Sequence, residues 1–92
     1  MWYYHNVLPT QFRKDLKLAI KRGLNLDLLN TVISVLANGN KLEAKYKDHN
    51  LTGKYKDFRE CHIEPDWLLI YRIKNYELEL YLFRTGSHSD LF

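Results

Sequence analysis

Only one cysteine, Cys61, occurs in the 92 residues. No intramolecular disulfide, all-cysteine zinc site or paired redox motif can be assembled from it, and a reducing cytoplasm is the expected compartment. Long apolar runs are missing as well. Nothing approaches the roughly 18 consecutive apolar residues of a membrane span. The opening stretch, MWYYHNVLPT, has neither the basic start nor the apolar run of a secretory signal, so a soluble, unexported protein with no membrane contact is expected. Prolines number two, Pro9 and Pro65, and both fall at breaks between elements. No repeat, linker or low-complexity stretch divides the chain, and its length suits one core-bearing unit, so residues 1–92 are expected to fold as a single domain.

What is present is ordinary globular material, 46% hydrophobic and 27% charged. The net charge of +3 is small but unevenly spread. One basic block comprises Arg13, Lys14, Lys17, Lys21 and Arg22; a second comprises Lys41, Lys45, Lys47, Lys54, Lys56 and Arg59, with no cation between Gly23 and Asn40. Such blocks suit a polyanion, though lysines also solubilise helix faces.

Periodicity assigns the elements. Residues 2–7 are aromatic and β-branched up to Pro9, which predicts a short strand with a breaker behind it. Thr10 is the expected N-cap of a helix in which Phe12, Leu16, Ala19 and Ile20 recur at helical spacing, until Gly23 supplies a left-handed stop. A second helix is predicted from Asn25 or Leu26, carrying Leu28, Leu29, Val32, Val35 and Leu36, and ended by Asn38-Gly39. The rhythm is lost over residues 40–56, which read as a loop with reactive side chains. Three strands follow at 58–64, 67–74 and 77–84, separated by Pro65-Asp66 and Asn75-Tyr76. Residues 86–92 suffice for a turn or a single helical turn. The expected fold is therefore α+β: an N-terminal strand, an antiparallel two-helix hairpin, then a three-stranded antiparallel meander, with both helices packed on one sheet face. The other face is left open, and alternation puts Phe58, Glu60, His62 and Glu64 on one side of the first meander strand.

Three of the four histidines, His49, His62 and His88, fall in loops or near strand ends of the C-terminal half, alongside Asp66 and Arg84. Imidazoles titrate near neutrality, so a pair flanking a phosphodiester can take a proton from an attacking hydroxyl and return one to the leaving oxygen, without metal or other cofactor. His5, in an aromatic strand with no charged neighbour, is expected to be structural. Zinc is disfavoured, because Pro65 separates His62 from Asp66 at a turn and Arg84 opposes a dication. The planar fork of Arg84 suits a phosphate gaining charge; a salt bridge to Glu64 or Asp66 is its structural alternative. Phe92 is either a latch on the core or a platform for a base, and Trp67 packs first and shapes the site second. With Lys47, these two rings are the expected RNA contacts.

Three ordered blocks, YKDHNLTG at 46–53, HIEPDWLLIY at 62–71 and RTGSHSDLF at 84–92, resemble the YafQ branch of the RelE/ParE toxin superfamily. The helical hairpin with Lys14-Asp15 is similar too, so the resemblance spans nearly the whole chain. It implies a RelE-like fold and a ribosome-dependent endoribonuclease of a type II toxin–antitoxin system. It implies a cognate antitoxin as partner, with mRNA cut in the A site of the 70S ribosome and basic surfaces against 16S rRNA. The implied chemistry is attack by the ribose 2′-hydroxyl on the adjacent phosphate, leaving a 2′,3′-cyclic phosphate and a 5′-hydroxyl. Family site positions fall on His49, His62, Asp66, Arg84, His88 and Phe92. His88 is then the general acid; His49, His62 or Asp66 provides or orients the base; Arg84 stabilises the phosphorane; and Phe92 holds a base. Glu60 stands where some relatives carry aspartate, which leaves its role open. Two competing expectations remain: a ParE-like inhibitor of DNA gyrase without nuclease activity, and a metal-dependent hydrolase.

Overall fold

The computed structural model of the chain describes residues 9–74 and 79–92. The strand expected at residues 2–7, with His5, and the turn expected at Asn75-Tyr76 lie outside the described residues.

Helix α1 spans Thr10–Lys21 and buries Phe12, Asp15 and Ala19 along one stripe. Its N-cap is Pro9, at φ −58, and Thr10 is already helical. The expected threonine cap is thus displaced by one residue, because the proline ring presets the φ at which the chain enters the helix. Gly23 ends α1 at φ +77, its N–H bonded to Ile20 O while Leu24 N–H returns to Ala19 O. That pair of bonds needs a left-handed residue at position 23, which glycine supplies without strain. Helix α2, Leu26–Ala37, starts at Asn25, whose side chain accepts the Asp27 N–H at 2.9 Å. It buries Leu29, Val32, Ile33 and Leu36.

Among the described residues, the sheet has four antiparallel strands in the order β1 (His49–Asn50), β2 (Arg59–Glu64), β3 (Trp67–Lys74) and β4 (Glu79–Gly86). The meander is as expected, with β4 running two residues beyond the predicted end. Strand β1 is the addition. The stretch 40–56, expected as loop, contains it together with 3₁₀ turns at Ala44–Tyr46 and Gly53–Tyr55. Two residues carry no period-two signal, so β1 exists by its pairing with β2, His49 opposite Glu60 and Asn50 opposite Arg59.

One sheet face packs under the helices, where Phe12, Leu29, Ile33 and Leu36 meet Cys61, Trp67, Leu69, Tyr71 and Leu82. Cys61 is fully enclosed, and burial pushes its thiol up to about 12. The other face is not simply open. Leu68, Ile70 and Leu91 form a second small core there, flanked by Leu51, Phe58 and Phe83. Leu91 comes from α3, His88–Leu91, which folds back across this face.

Helix α3 has four residues and needs outside support, since so short a helix is unstable alone. Ser87 and Asp90 form a capping box, with Asp90 Oδ2 accepting the Ser87 N–H at 2.9 Å. Arg22 grips the same carboxylate with two donors, at 2.6 and 3.1 Å. Gly86 leaves the room this needs, since a β-carbon there would stand 3.0 Å from Asp90 Oδ2. The Arg22 guanidinium and the Ser87 amide hold the Asp90 carboxyl well below the usual carboxylate range. Asp90→Ala is expected to destabilise the fold by about 1 kcal/mol, a drop in Tm of roughly 4–8 °C for a domain of this size. Because the folded-state value is depressed, this contribution is full above the unfolded value near pH ~3.9 and fades as pH falls below it. Thermal melts of wild type and variant should therefore converge in acid; an equal gap at neutral and strongly acidic pH would contradict the assignment.

Candidate active site

Pairing register brings His49, Glu60 and His62 together on the second face. One row across the sheet reads His49, Glu60, Ile70, Arg84, and the next reads His62, Leu68, Gly86. Residues opposite one another in a ladder share a face, so His49, Glu60 and His62 form a triangle at the β1–β2 edge. His49 Nε2 lies 3.4 Å from Glu60 Oε1 and His62 Nε2 lies 3.7 Å from the same oxygen. The two ring centroids are 6.5 Å apart. Glu60 is only 4% exposed, whereas His49 stands in solvent and His62 is half-buried.

Both rings are oriented from behind. The His49 Nδ1–H donates to the Lys47 carbonyl at 2.7 Å and the His62 Nδ1–H to the Pro65 carbonyl at 3.3 Å. A carbonyl only accepts, so each Nδ1 carries the proton and each Nε2 is the atom turned to Glu60. Lys47 reaches this geometry through a left-handed backbone, φ +50, at the end of the first 3₁₀ turn. The flanks of His49 are fastened by Arg59, which donates to Asp48 on one side and to Asn50 Oδ1, at 2.6 Å, on the other. Tyr71 adds its hydroxyl to Asp48. His49 is thereby fixed although its side chain is exposed.

A carboxylate facing two Nε2 atoms can accept from whichever ring is protonated while the other keeps its lone pair. That is an acid–base pair with a built-in counter-ion. Lys47 and His62 line one groove between α2 and β2, with a volume of about 340 Å³.

Asp66, in the β2–β3 turn, accepts the backbone N–H of His88 at 3.2 Å and so joins α3 to the turn that orients His62. The His88 ring is exposed and lies 5.5 Å from that of Phe92. Phe92 is 56% exposed and meets Tyr55 edge-on at 6.0 Å. The ring thus packs against Tyr55 while more than half of its surface stays open to solvent.

Two expected site residues sit elsewhere than the sequence implied. Trp67 is 2% exposed and its Nε1–H donates to Thr85 Oγ1 at 2.9 Å. It is a core residue, and its place among the RNA contacts is corrected, because its ring has no accessible face on which a base could stack. Arg84 pairs with neither Glu64 nor Asp66 but with Asp15 of α1, Nε to Oδ2 at 2.7 Å and Nη2 to Oδ1 at 3.2 Å. A β-bulge between the pairs Ile70–Arg84 and Tyr71–Leu82 inserts Phe83 immediately before it. Glu60, placed beside His62 by strand alternation but left without a role, is the buried carboxylate on which both rings converge. Among the described residues, no three His, Cys, Asp or Glu side chains are placed to hold a metal ion, and no helix is long and apolar enough to cross a membrane.

The fold and site define a small α+β protein with an imidazole-rich polar cluster on one sheet face and, on the other, a helical hairpin whose first helix is basic. The description "Bacterial toxin of type II toxin-antitoxin system, YafQ" matches residues 4–92. The mRNA interferase toxin YafQ of Escherichia coli K12 is 43% identical over 83 residues, covering 89% of this chain and 88% of that protein. The crystal structure of the E. coli DinJ-YafQ complex superposes with a TM-score of 0.85 at 41% identity, over 94% of each chain. That of a metal-bound toxin from Helicobacter pylori superposes with a TM-score of 0.84 at 53% identity, over 92% of this chain and 94% of that one. The chain belongs to the YafQ family of type II toxin–antitoxin system toxins.

Proposed function

We propose that this chain is an mRNA interferase, an endoribonuclease that cuts messenger RNA in the A site of the cytoplasmic 70S ribosome and is restrained by a cognate antitoxin. A relative named as an mRNA interferase and another solved in complex with DinJ support the activity and the antitoxin. The observation that carries the chemistry is the convergence of two imidazole Nε2 atoms on one buried carboxylate.

In this reading His49 or His62 takes the proton of the ribose 2′-hydroxyl as its oxygen attacks phosphorus, and Glu60 stabilises the imidazolium that results. His88 gives a proton to the departing 5′ oxygen as the P–O5′ bond breaks. The products are a 2′,3′-cyclic phosphate and a 5′-hydroxyl, and no water or metal enters the step. Asp66, with one oxygen bonded to the His88 N–H, orients the acid rather than serving as base. The Arg84 guanidinium meets the charge growing on phosphorus. Phe92 offers its exposed ring to a base, and Lys47, beside His62, faces the RNA backbone.

Metal catalysis is the second reading, since one solved relative is a metal-bound toxin. The two part in one experiment: purified toxin is added to translating ribosomes with and without chelator, and RNA ends are mapped. The acid–base reading expects cyclic phosphate and 5′-hydroxyl ends at equal rates in both. Loss of cutting in chelator with recovery on adding a divalent ion would transfer the chemistry to a metal. Equal cutting of naked RNA would remove the ribosome requirement, and growth arrest without cutting would favour gyrase inhibition.

A further inference from the structure

Asp15 is the one carboxylate of α1 and it points inward, 8% exposed. A buried carboxylate is tolerated only when its lone pairs are filled. Here they are filled four times: by Gln11 Nε2 at 3.2 Å, by Arg84 Nε at 2.7 Å, by Arg84 Nη2 at 3.2 Å and by the backbone N–H of Thr85 at 3.2 Å. Three of the four donors belong to two consecutive residues at the end of β4, two and three positions before the α3 capping box begins.

The Arg84 pair is side-on and bidentate. Two parallel donors fix both the place and the rotation of the guanidinium plane, which a single hydrogen bond does not. The Nη1 side of the fork lies outside that pair, and the Arg84 side chain remains 27% exposed. A buried ion pair is weak support for a fold, since apolar residues of the same volume do as well. What the carboxylate contributes is therefore orientation. The bond to Thr85 N–H extends it to the main chain that leads to His88.

We propose that Asp15 is the positioning residue of the site, holding the Arg84 guanidinium so that its outer edge meets the phosphate under attack. The proposal rests on the reading of Arg84 as the group that stabilises the charge developing on phosphorus. Asp15 touches no substrate and acts through Arg84.

The test uses the full chain on mRNA-programmed ribosomes under single-turnover conditions, where the maximal rate and the half-saturating concentration are separated and Tm is read on each variant. Asp15→Glu keeps the charge but shifts the guanidinium by about one methylene, and Asp15→Asn removes the charge. Both are expected to lower the maximal rate by about tenfold or more, with half-saturation changed by less than about twofold, the signature of an interaction made in the transition state. In an Arg84→Gln background, Asp15→Asn should bring no further loss. Unchanged maximal rates in both Asp15 variants, with a lowered Tm, would assign the pair to the fold alone and overturn the proposal. Fully additive losses, or Asp15 variants that both fail to fold while Arg84→Gln folds, would do the same. A wild-type rate in Arg84→Gln by itself is a separate result: it removes the arginine from the chemistry, and the positioning role falls with it.

Discussion

Replacing His88 by alanine is expected to slow cleavage on programmed ribosomes by about 10²–10⁴-fold, the usual worth of a positioned general acid, while leaving the fold intact. The two halves of this expectation have separate structural grounds. The His88 ring is exposed and stacks loosely on Phe92, and the bond that docks α3 uses the backbone N–H, which alanine retains. Stability should therefore change by no more than about 0.5 kcal/mol. Rate and Tm measured on the same preparation decide the matter. A cleavage rate within about threefold of wild type would exclude His88 as the acid, since no general acid is worth so little.

The second large effect is on stability. Trp67→Ala empties a fully enclosed aromatic site beneath both helices and is expected to destabilise the protein by about 3–5 kcal/mol. Against a typical total of about 5–15 kcal/mol, that loss leaves a large unfolded fraction at physiological temperature. Trp67→Phe separates packing from hydrogen bonding: the ring volume is mostly kept, while Thr85 Oγ1 loses its donor and keeps its own bond to the Leu68 carbonyl. The cost should be about 1 kcal/mol, with toxin binding to programmed ribosomes unchanged. Denaturant titration and a binding isotherm on the two variants check this. A Phe variant of native stability that bound tenfold more weakly would return Trp67 to the RNA surface.

Local physics made the helices legible. The stripes Phe12–Leu16–Ala19 and Leu29–Val32–Leu36 and the glycines at 23 and 39 announce two helices and their ends without any tertiary information. The meander strands show through β-branched and aromatic runs bounded by turn residues. Strand β1 does not, because two residues hold no pattern and the strand is defined by its pairing with β2, with Arg59 bonded to Asp48 and Asn50 on either side of His49. The same limit applies to the site. The sequence displayed the reactive side chains but not their register, and register alone puts His49 opposite Glu60. Asp15 and Arg84 are 69 positions apart, so their pair has no local signature. Packing is the first reading of Trp67, and alternation already puts Glu60 on the face of His62; what residue type does not give is how completely the neighbouring strands and covering elements bury both.

Cys61 gives the protein a clock for its own opening. Held inside the sheet and protonated up to about 12, the thiol is invisible to alkylating agents, electrophiles and mild oxidants while the fold is closed. With a single sulfhydryl in the chain, each labelling event reports one molecule in which the main core has parted. The labelling rate then measures how often that happens, with or without a bound partner. By the same token, toxin activity should be indifferent to cellular redox state, since oxidative damage at this position requires the fold to be lost first.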